Sequence, residues 1–303
     1  MDIQTSSIYF INDGILSGKS KTTLQKYHYS VKLLIDYLKL QFLPLEMDSL
    51  NAENLQAFIL HGITVRKWNK ITTWTMHLKL NAYFNWLIKK EYILKNPLDN
   101  IPKPKIVKQP PKALNEAEIQ GVLRAVAGIK HKYKFIDIRD KAIVATLLMS
   151  GLRKSELLDL KYQDVDLNNG FITVEHGKGD KRREIPIEQS ILQPVLEEYR
   201  SYRDSLGRAK TWFFTGSWSG SNEFNRLSSS NIEKLFSRLS KVCGRRIHPH
   251  KLRHSFATLL LDKTGDVYTL KELMGHSDIA TTCIYLSSTR RKKIEAISHL
   301  KLN

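Results

Sequence analysis

Leu24, Tyr27, Val31, Leu34 and Leu38 recur at alternating steps of three and four, which puts them on one face of a helix over about 21–40. Asn51 is placed to cap a short helix carrying Leu55, Phe58 and Ile59. A third helix over about 71–90 turns Leu80, Phe84, Leu87 and Ile88 inward and leaves Lys79, Lys89 and Lys90 outside. These predict a helical module ending near Asn96-Pro97, because proline disfavours helix in the residue before it. The next stretch, PKPKIVKQPPK at 102–112, cannot form regular structure and would lie extended. Beyond it the element types mix. Asn115 with Glu118 forms a capping-box pattern ahead of Ile119, Val122, Leu123 and Val126. A helix over about 139–150 is apolar nearly all round, as buried helices are. After Gly151, Phe171–Val174 and Arg183–Ile187 read as two strands joined by a basic turn at 177–180. Helices dominate again from Ser190 onward, interrupted at Trp212-Phe213-Phe214.

The pattern is mainly α with a small β-sheet. A chain of 303 residues, 42% of them hydrophobic, can bury more than one core. Three divisions are therefore expected: a helical domain over 1–101, a basic Pro-rich linker over 102–112, and a second domain over 113–303. The linker reads either as a solvated spacer or as a strap along a phosphate backbone.

Charge narrows the partner. Forty-eight Lys and Arg against 30 Asp and Glu give a formal charge of +18, a field that favours a polyanion. No run approaches the roughly 20 apolar residues of a spanning helix, and MDIQTSSIYFINDG lacks the basic start and apolar run of a signal peptide. Two cysteines, Cys243 and Cys283, make no disulfide framework, so the cytoplasm is the expected compartment.

Several turns carry side chains suited to phosphate or proton transfer. In SGLRKSEL, Arg153 follows a glycine turn and Glu156 is placed to steady it, although a surface ion pair explains the same spacing. Lys178 sits in a basic turn with Lys181, Arg182 and Arg183, where a solvated charge run is the ordinary reading. In HPHKLRH, proline marks a helix start and sets His250 and Arg253 on one face. Cys243, His248, His250 and His254 also invite a metal reading. Lys251 stands where a zinc-protease helix would need Glu, and Arg253 would set a fixed positive charge beside the cation, so no metal is expected. His276 lies just before a candidate N-cap, and Tyr285 taken alone is a core aromatic.

Arg153, Lys178, His250, Arg253, His276 and Tyr285, in that order and context, resemble the active-site motifs of the tyrosine recombinase family, which includes phage integrases and Xer-type enzymes. PHKLRHSFATLLL and LMGHSDIATTCIY carry the resemblance most strongly; Cys283 and the tail RRKKIEAISHLKLN depart from it without touching those positions. The first domain is similar, more loosely, to the family's SAM-like core-binding domain. The resemblance implies a site-specific recombinase in which Tyr285 attacks a scissile phosphate, forming a 3′-phosphotyrosyl bond and releasing a 5′-hydroxyl. It implies that Arg153 and Arg253 hold the non-bridging oxygens, that His250 and His276 bond those oxygens or handle the tyrosine proton, that Lys178 protonates the leaving oxygen and that Glu156 supports the arginines. Metal, ATP and other cofactors are not expected. Double-stranded DNA is the implied partner, bound with a steep salt dependence. Ile294, Ile297 and Leu300 form an apolar stripe that packs on its own domain or, as the resemblance implies, docks on a neighbouring subunit of a synaptic tetramer; an accessory recombination protein is compatible with this. The rival readings are a type IB topoisomerase, a non-catalytic DNA-binding regulator and a metal nuclease.

Overall fold

The computed structural model describes residues 1–106, 113–175, 182–207, 211–216 and 226–286. The chain divides into two compact units, Met1–Lys108 and Gln109–Asn303.

The first unit is helical: α1 (Ile3–Leu16), α2 (Lys21–Leu40), α3 (Ala52–Thr64) and α4 (Lys70–Lys89). Asn51 caps α3 by accepting from the backbone of Asn54, and Asn69 caps α4 in the same way through Thr72. Leu34, Leu38, Leu55, Phe58, Leu80 and Phe84 form its core, while Ile88 is only half-buried. Helix α1 has no counterpart in the hydrophobic periodicity. Its inward face includes Ser6 and Ser7, and Ser6 Oγ is satisfied by the Ile3 carbonyl and the buried Tyr83 hydroxyl.

The second unit is mainly helical with a small sheet. Helix α5 (Glu116–Gly128) carries the full Asn115/Glu118 capping box. Helix α6 (Lys134–Ser150) is buried along most of its length, and the short α7 (Lys154–Asp159) follows it. Strands β1 (Val165–Asp166), β2 (Phe171–Val174) and β3 (Arg183–Pro186) form an antiparallel sheet in that order, with Ile172 opposite both Val165 and Ile185. The turn joining β2 to β3, with Lys178, lies outside the described residues. Next come α8 (Leu192–Ser205), α9 (Ser229–Val242), α10 (Pro249–Thr264), α11 (Val267–Met274) and α12 (Ala280–Cys283). Pro249 occupies the first turn of α10, and the His248 side chain caps it by accepting from Lys251 N. Ala257, Leu261, Leu270, Met274 and Tyr285 form a small cluster of their own beside the main core. The apolar stripe foreseen at 294–300 also lies outside the described residues.

Candidate active site

Four helix or strand ends meet where the second unit gathers its charge. Gly151 closes α6 at a φ of 64°, a left-handed conformation that glycine adopts without a Cβ penalty. That turn sends Leu152 into the core and sets Arg153 at the head of α7. Arg183 enters from the start of β3, and Arg253 from the second turn of α10.

Three successive carbonyls at the end of α11 each hold one of these guanidinium groups. Leu273 O accepts from Arg183 Nε at 2.9 Å, Met274 O from Arg253 Nη2 at 2.6 Å, and Gly275 O from Arg153 Nη2 at 2.9 Å. The carbonyls at a helix C-terminus carry partial negative charge, which suits cations. Gly151 O, at the end of α6, accepts from Arg253 Nη1.

Glu156 sits among the three arginines. Its carboxylate accepts from Arg153 Nη1 at 2.6 Å and from Arg183 Nη2 at 2.7 Å, and lies 3.9 Å from Arg253 Nη1. Burial would push this carboxyl up, but the hydrogen bonds and charge of Arg183, with those from Arg153, hold it below the usual glutamate range. One carboxylate facing three guanidinium groups leaves two positive charges that it does not neutralise. Burial first, and then Arg153, lower the Arg253 pKa to about 10, and the group stays charged at neutral pH.

His276 closes this arrangement. Its Nε2 lies 3.1 Å from Arg253 Nη2, and arginine can only donate, so Nε2 accepts and the neutral ring carries its proton on Nδ1. That Nδ1 faces Thr282 Oγ1 at 2.9 Å. Burial, with Arg253, Arg153 and Arg183 nearby, brings the His276 pKa down to about 4, so the ring is neutral at pH 7. Asp278 accepts from Ala280 N and opens the turn that leads through α12 to Tyr285.

Tyr285 is 5% exposed and packs with Ala257, Leu261, Leu270 and Met274. Burial pushes its hydroxyl pKa up, against the pull of Arg253 and Arg153. The hydroxyl lies 2.6 Å from His254 Nδ1. His250 is exposed one turn earlier on α10, with its ring 6.5 Å from that of His254.

Arg153, Glu156, Arg253 and His276 are thus joined by direct contacts, with Tyr285 packed against the same helix ends and His250 at the rim. Two residues of this arrangement, Arg183 and His254, stand out in the sequence only in a basic turn and as a metal candidate, not as members of this site. Arg183 falls in phase with the buried Ile185 and Ile187, an alternation that turns it inward. His254 is four residues after His250 and so shares its helical face.

The site depends on its glycine turn. A Cβ on Gly151 would run into the Phe256 ring, and φ is already in the left-handed region. Gly151→Ala is expected to cost about 2–4 kcal/mol by backbone strain and overpacking, read as a fall in melting temperature, and to displace the carbonyl that holds Arg253.

Among the described residues no three His, Cys, Asp or Glu side chains converge as a metal site would require, and no helix is long and apolar enough to cross a membrane.

Comparison with known proteins gives a consistent set. Residues 112–292 match the family model of the phage integrase family. Tyrosine recombinase XerA of Pyrococcus furiosus is 33% identical over 287 residues, covering 95% of this chain and 91% of that protein. Tyrosine recombinase XerC of Escherichia coli O157:H7 is 29% identical, covering 88% and 85%. Among solved structures, XerH recombinase bound to its palindromic difH substrate superposes with a TM-score of 0.74 at 24% identity, covering 91% of this chain and 79% of that one. The Tn1549 transposon integrase in complex with transposon right end DNA superposes with a TM-score of 0.76 at 20% identity, covering 99% of each. At these identities the structural matches speak for the fold.

Proposed function

The chain belongs to the phage integrase family of tyrosine recombinases, and from that premise we propose that it breaks and rejoins double-stranded DNA at specific sites through a covalent bond to Tyr285. The observation that carries this reading is the set of three guanidinium groups around one carboxylate, packed beside a buried tyrosine. Such a set has charge to spare for a phosphodiester. Arg153 and Arg253 grip the non-bridging oxygens, where negative charge grows in the transition state. Their anchoring by backbone carbonyls fixes both guanidinium planes before substrate arrives, so little reorganisation is needed during the reaction. Glu156 and Arg183 keep Arg153 in place. His276, neutral and tied to Arg253, holds the guanidinium and faces the same phosphate, with His250 at its rim.

Tyr285 attacks phosphorus, the 3′-phosphotyrosyl ester forms, and the 5′-oxygen leaves with a proton from Lys178. Exchange of one phosphate ester for another conserves the bond energy, so religation needs no nucleotide. The arginines take the electrostatic part that metal ions take in many phosphoryl transferases. In the working assembly the helical first unit and the second unit both engage the duplex, the tail docks on a neighbouring subunit, and four subunits bring two duplexes together in the cytoplasm, with an accessory protein at some sites.

The test is formation of a denaturant-resistant protein–DNA adduct, in chelator, on duplexes carrying the DNA that flanks this gene. An adduct supports the reading. Relaxation of plasmids with no preferred sequence and no paired sites would move it to a topoisomerase, and loss of adduct in chelator would move it to a metal-dependent enzyme. Lys178→Ala is expected to slow cleavage by about 10²- to 10⁴-fold. The rate should recover on DNA whose leaving 5′-oxygen is replaced by sulfur, which needs no proton; failure to recover would remove Lys178 as the acid.

A further inference from the structure

The reading above, on which this inference rests, leaves the phenolic proton of Tyr285 unassigned between two histidines. Neither geometry favours them. His276 is engaged through both ring nitrogens, Nε2 by Arg253 and Nδ1 by Thr282, and His250 stands exposed at the N-terminal turn of α10. Among the described residues, the hydrogen-bond partner of the Tyr285 hydroxyl is His254, whose Nδ1 lies 2.6 Å from Oη with the two ring centroids 5.5 Å apart. Water is a poor alternative acceptor, since Tyr285 is 5% exposed and walled by Ala257, Leu261, Leu270 and Met274. A general base is chosen first by reach, then by its proton affinity.

We propose that His254 is a catalytic residue of this reaction, taking the phenolic proton through Nδ1 as Tyr285 attacks phosphorus and returning it when the ester is resolved. The step balances. The Oη–H proton moves to Nδ1, the Oη–P bond forms as the bond from phosphorus to the 5′-oxygen breaks, and that oxygen takes its proton from a separate acid. In the reverse step the 5′-hydroxyl attacks and gives its proton back to that acid's conjugate base, the Oη–P bond breaks, and protonated His254 restores the phenol.

The charge state suits this role. Burial first, and then His250, Arg253 and His248 on the same helix, keep the His254 pKa at about 4, so the ring is unprotonated and able to accept at neutral pH. Across from it stands Tyr285, just beyond α12, whose hydroxyl lies in the field of Arg253 and Arg153. A phosphodiester bound between those arginines offsets the cationic part of this field and raises the proton affinity of the imidazole. His254 is thus a weak base in free protein and a stronger one once DNA is bound, which couples activation of the nucleophile to the presence of substrate.

Two measurements decide the matter. In the DNA-free full chain, nitrogen-15 NMR of the histidines follows the titration of His254 in wild type and in Tyr285→Phe. Loss of the phenol removes a hydrogen bond to the neutral ring, and the midpoint should rise by about half to one pH unit; an unchanged midpoint would overturn the contact and the proposal with it. On a duplex where wild-type cleavage has been shown to need Tyr285, single-turnover adduct formation is compared in His254→Ala and His254→Asn, both checked for wild-type melting and DNA affinity. Both should be slower by about 10²- to 10⁴-fold, and added imidazole should restore part of the rate in the alanine variant. The asparagine oxygen accepts the same hydrogen bond but cannot take a proton, so wild-type speed in His254→Asn would reduce the residue to positioning and overturn the proposal, as would wild-type speed in His254→Ala. Absence of any wild-type adduct would count against the recombinase reading alone, and the NMR titration would still decide whether His254 holds the phenol.

Discussion

Tyr285→Phe should reduce covalent adduct to background, at least about 10⁴-fold below wild type, while DNA affinity changes by less than about twofold. The substitution removes one oxygen and leaves the ring among Ala257, Leu261, Leu270 and Met274, so the cluster keeps its packing. What the fold loses is the hydrogen bond to His254, worth about 1 kcal/mol. The guanidinium groups of Arg153 and Arg253, which would bind the phosphate, are untouched. Gel-shift titration and denaturing electrophoresis on one set of duplexes separate the two quantities. Full cleavage by the phenylalanine variant would sink the assignment of Tyr285 as nucleophile.

Glu156→Gln should be the most damaging of the conservative substitutions in the site. The amide keeps the shape but presents a donor to guanidinium groups that can only donate, and it leaves Arg153, Arg183 and Arg253 crowded without an anion. Breaking a buried ion pair by removing one partner costs about 3–5 kcal/mol. For a unit of this size that is a fall in melting temperature on the order of 10 °C. The sign of the pH dependence follows from the Glu156 pKa, which the folded state lowers from the ordinary value of 4.5. Its contribution is fully present above pH 4.5 and is lost as pH falls through the lower, folded value. Melting curves of wild type and variant should therefore lie far apart at pH 7 and draw together below about pH 4.5. A constant gap down to pH 3 would mean that the carboxylate charge is not what holds the arginines.

Much of this architecture was legible in the chain because it rests on local signals. The periodicity from Leu24 to Leu38 reports α2, and the side chains of Asn51 and Asn115 mark the starts of α3 and α5. The small sheet was legible as β2 and β3, whereas β1 has two residues and exists through its pairing with β2. Helix α1 escaped because Ser6 and Ser7 face inward, satisfied by hydrogen bonds that no periodicity reveals. Arg203 escaped for the same reason: it is fully buried in α8, donates to Trp212 O and lies 4.9 Å from the centre of the Tyr162 ring. In the site, motif spacing pointed to Arg153, His250, Arg253, His276 and Tyr285, yet the links among them run through backbone carbonyls, and a carbonyl has no residue type to read. His254 was weighed as a metal ligand; its contact with Tyr285 spans 31 residues and exists only in three dimensions.

The run of carbonyls from Leu273 to Gly275 makes the spacing of the three arginines a property of the peptide repeat itself. The side chain at 273 can drift through generations of substitution without moving an anchor point, whereas that of Met274 is held separately by its packing against Tyr285. A gained or lost codon between these two positions would instead put the Leu273 carbonyl out of register with those of Met274 and Gly275, so that the three cations could no longer all be held together. Such a site tolerates a change of letter at 273 better than a change of frame length, so lineages descending from it should vary at that position, keep an apolar residue at 274 and a glycine at 275, and hardly vary in the number of residues in the turn.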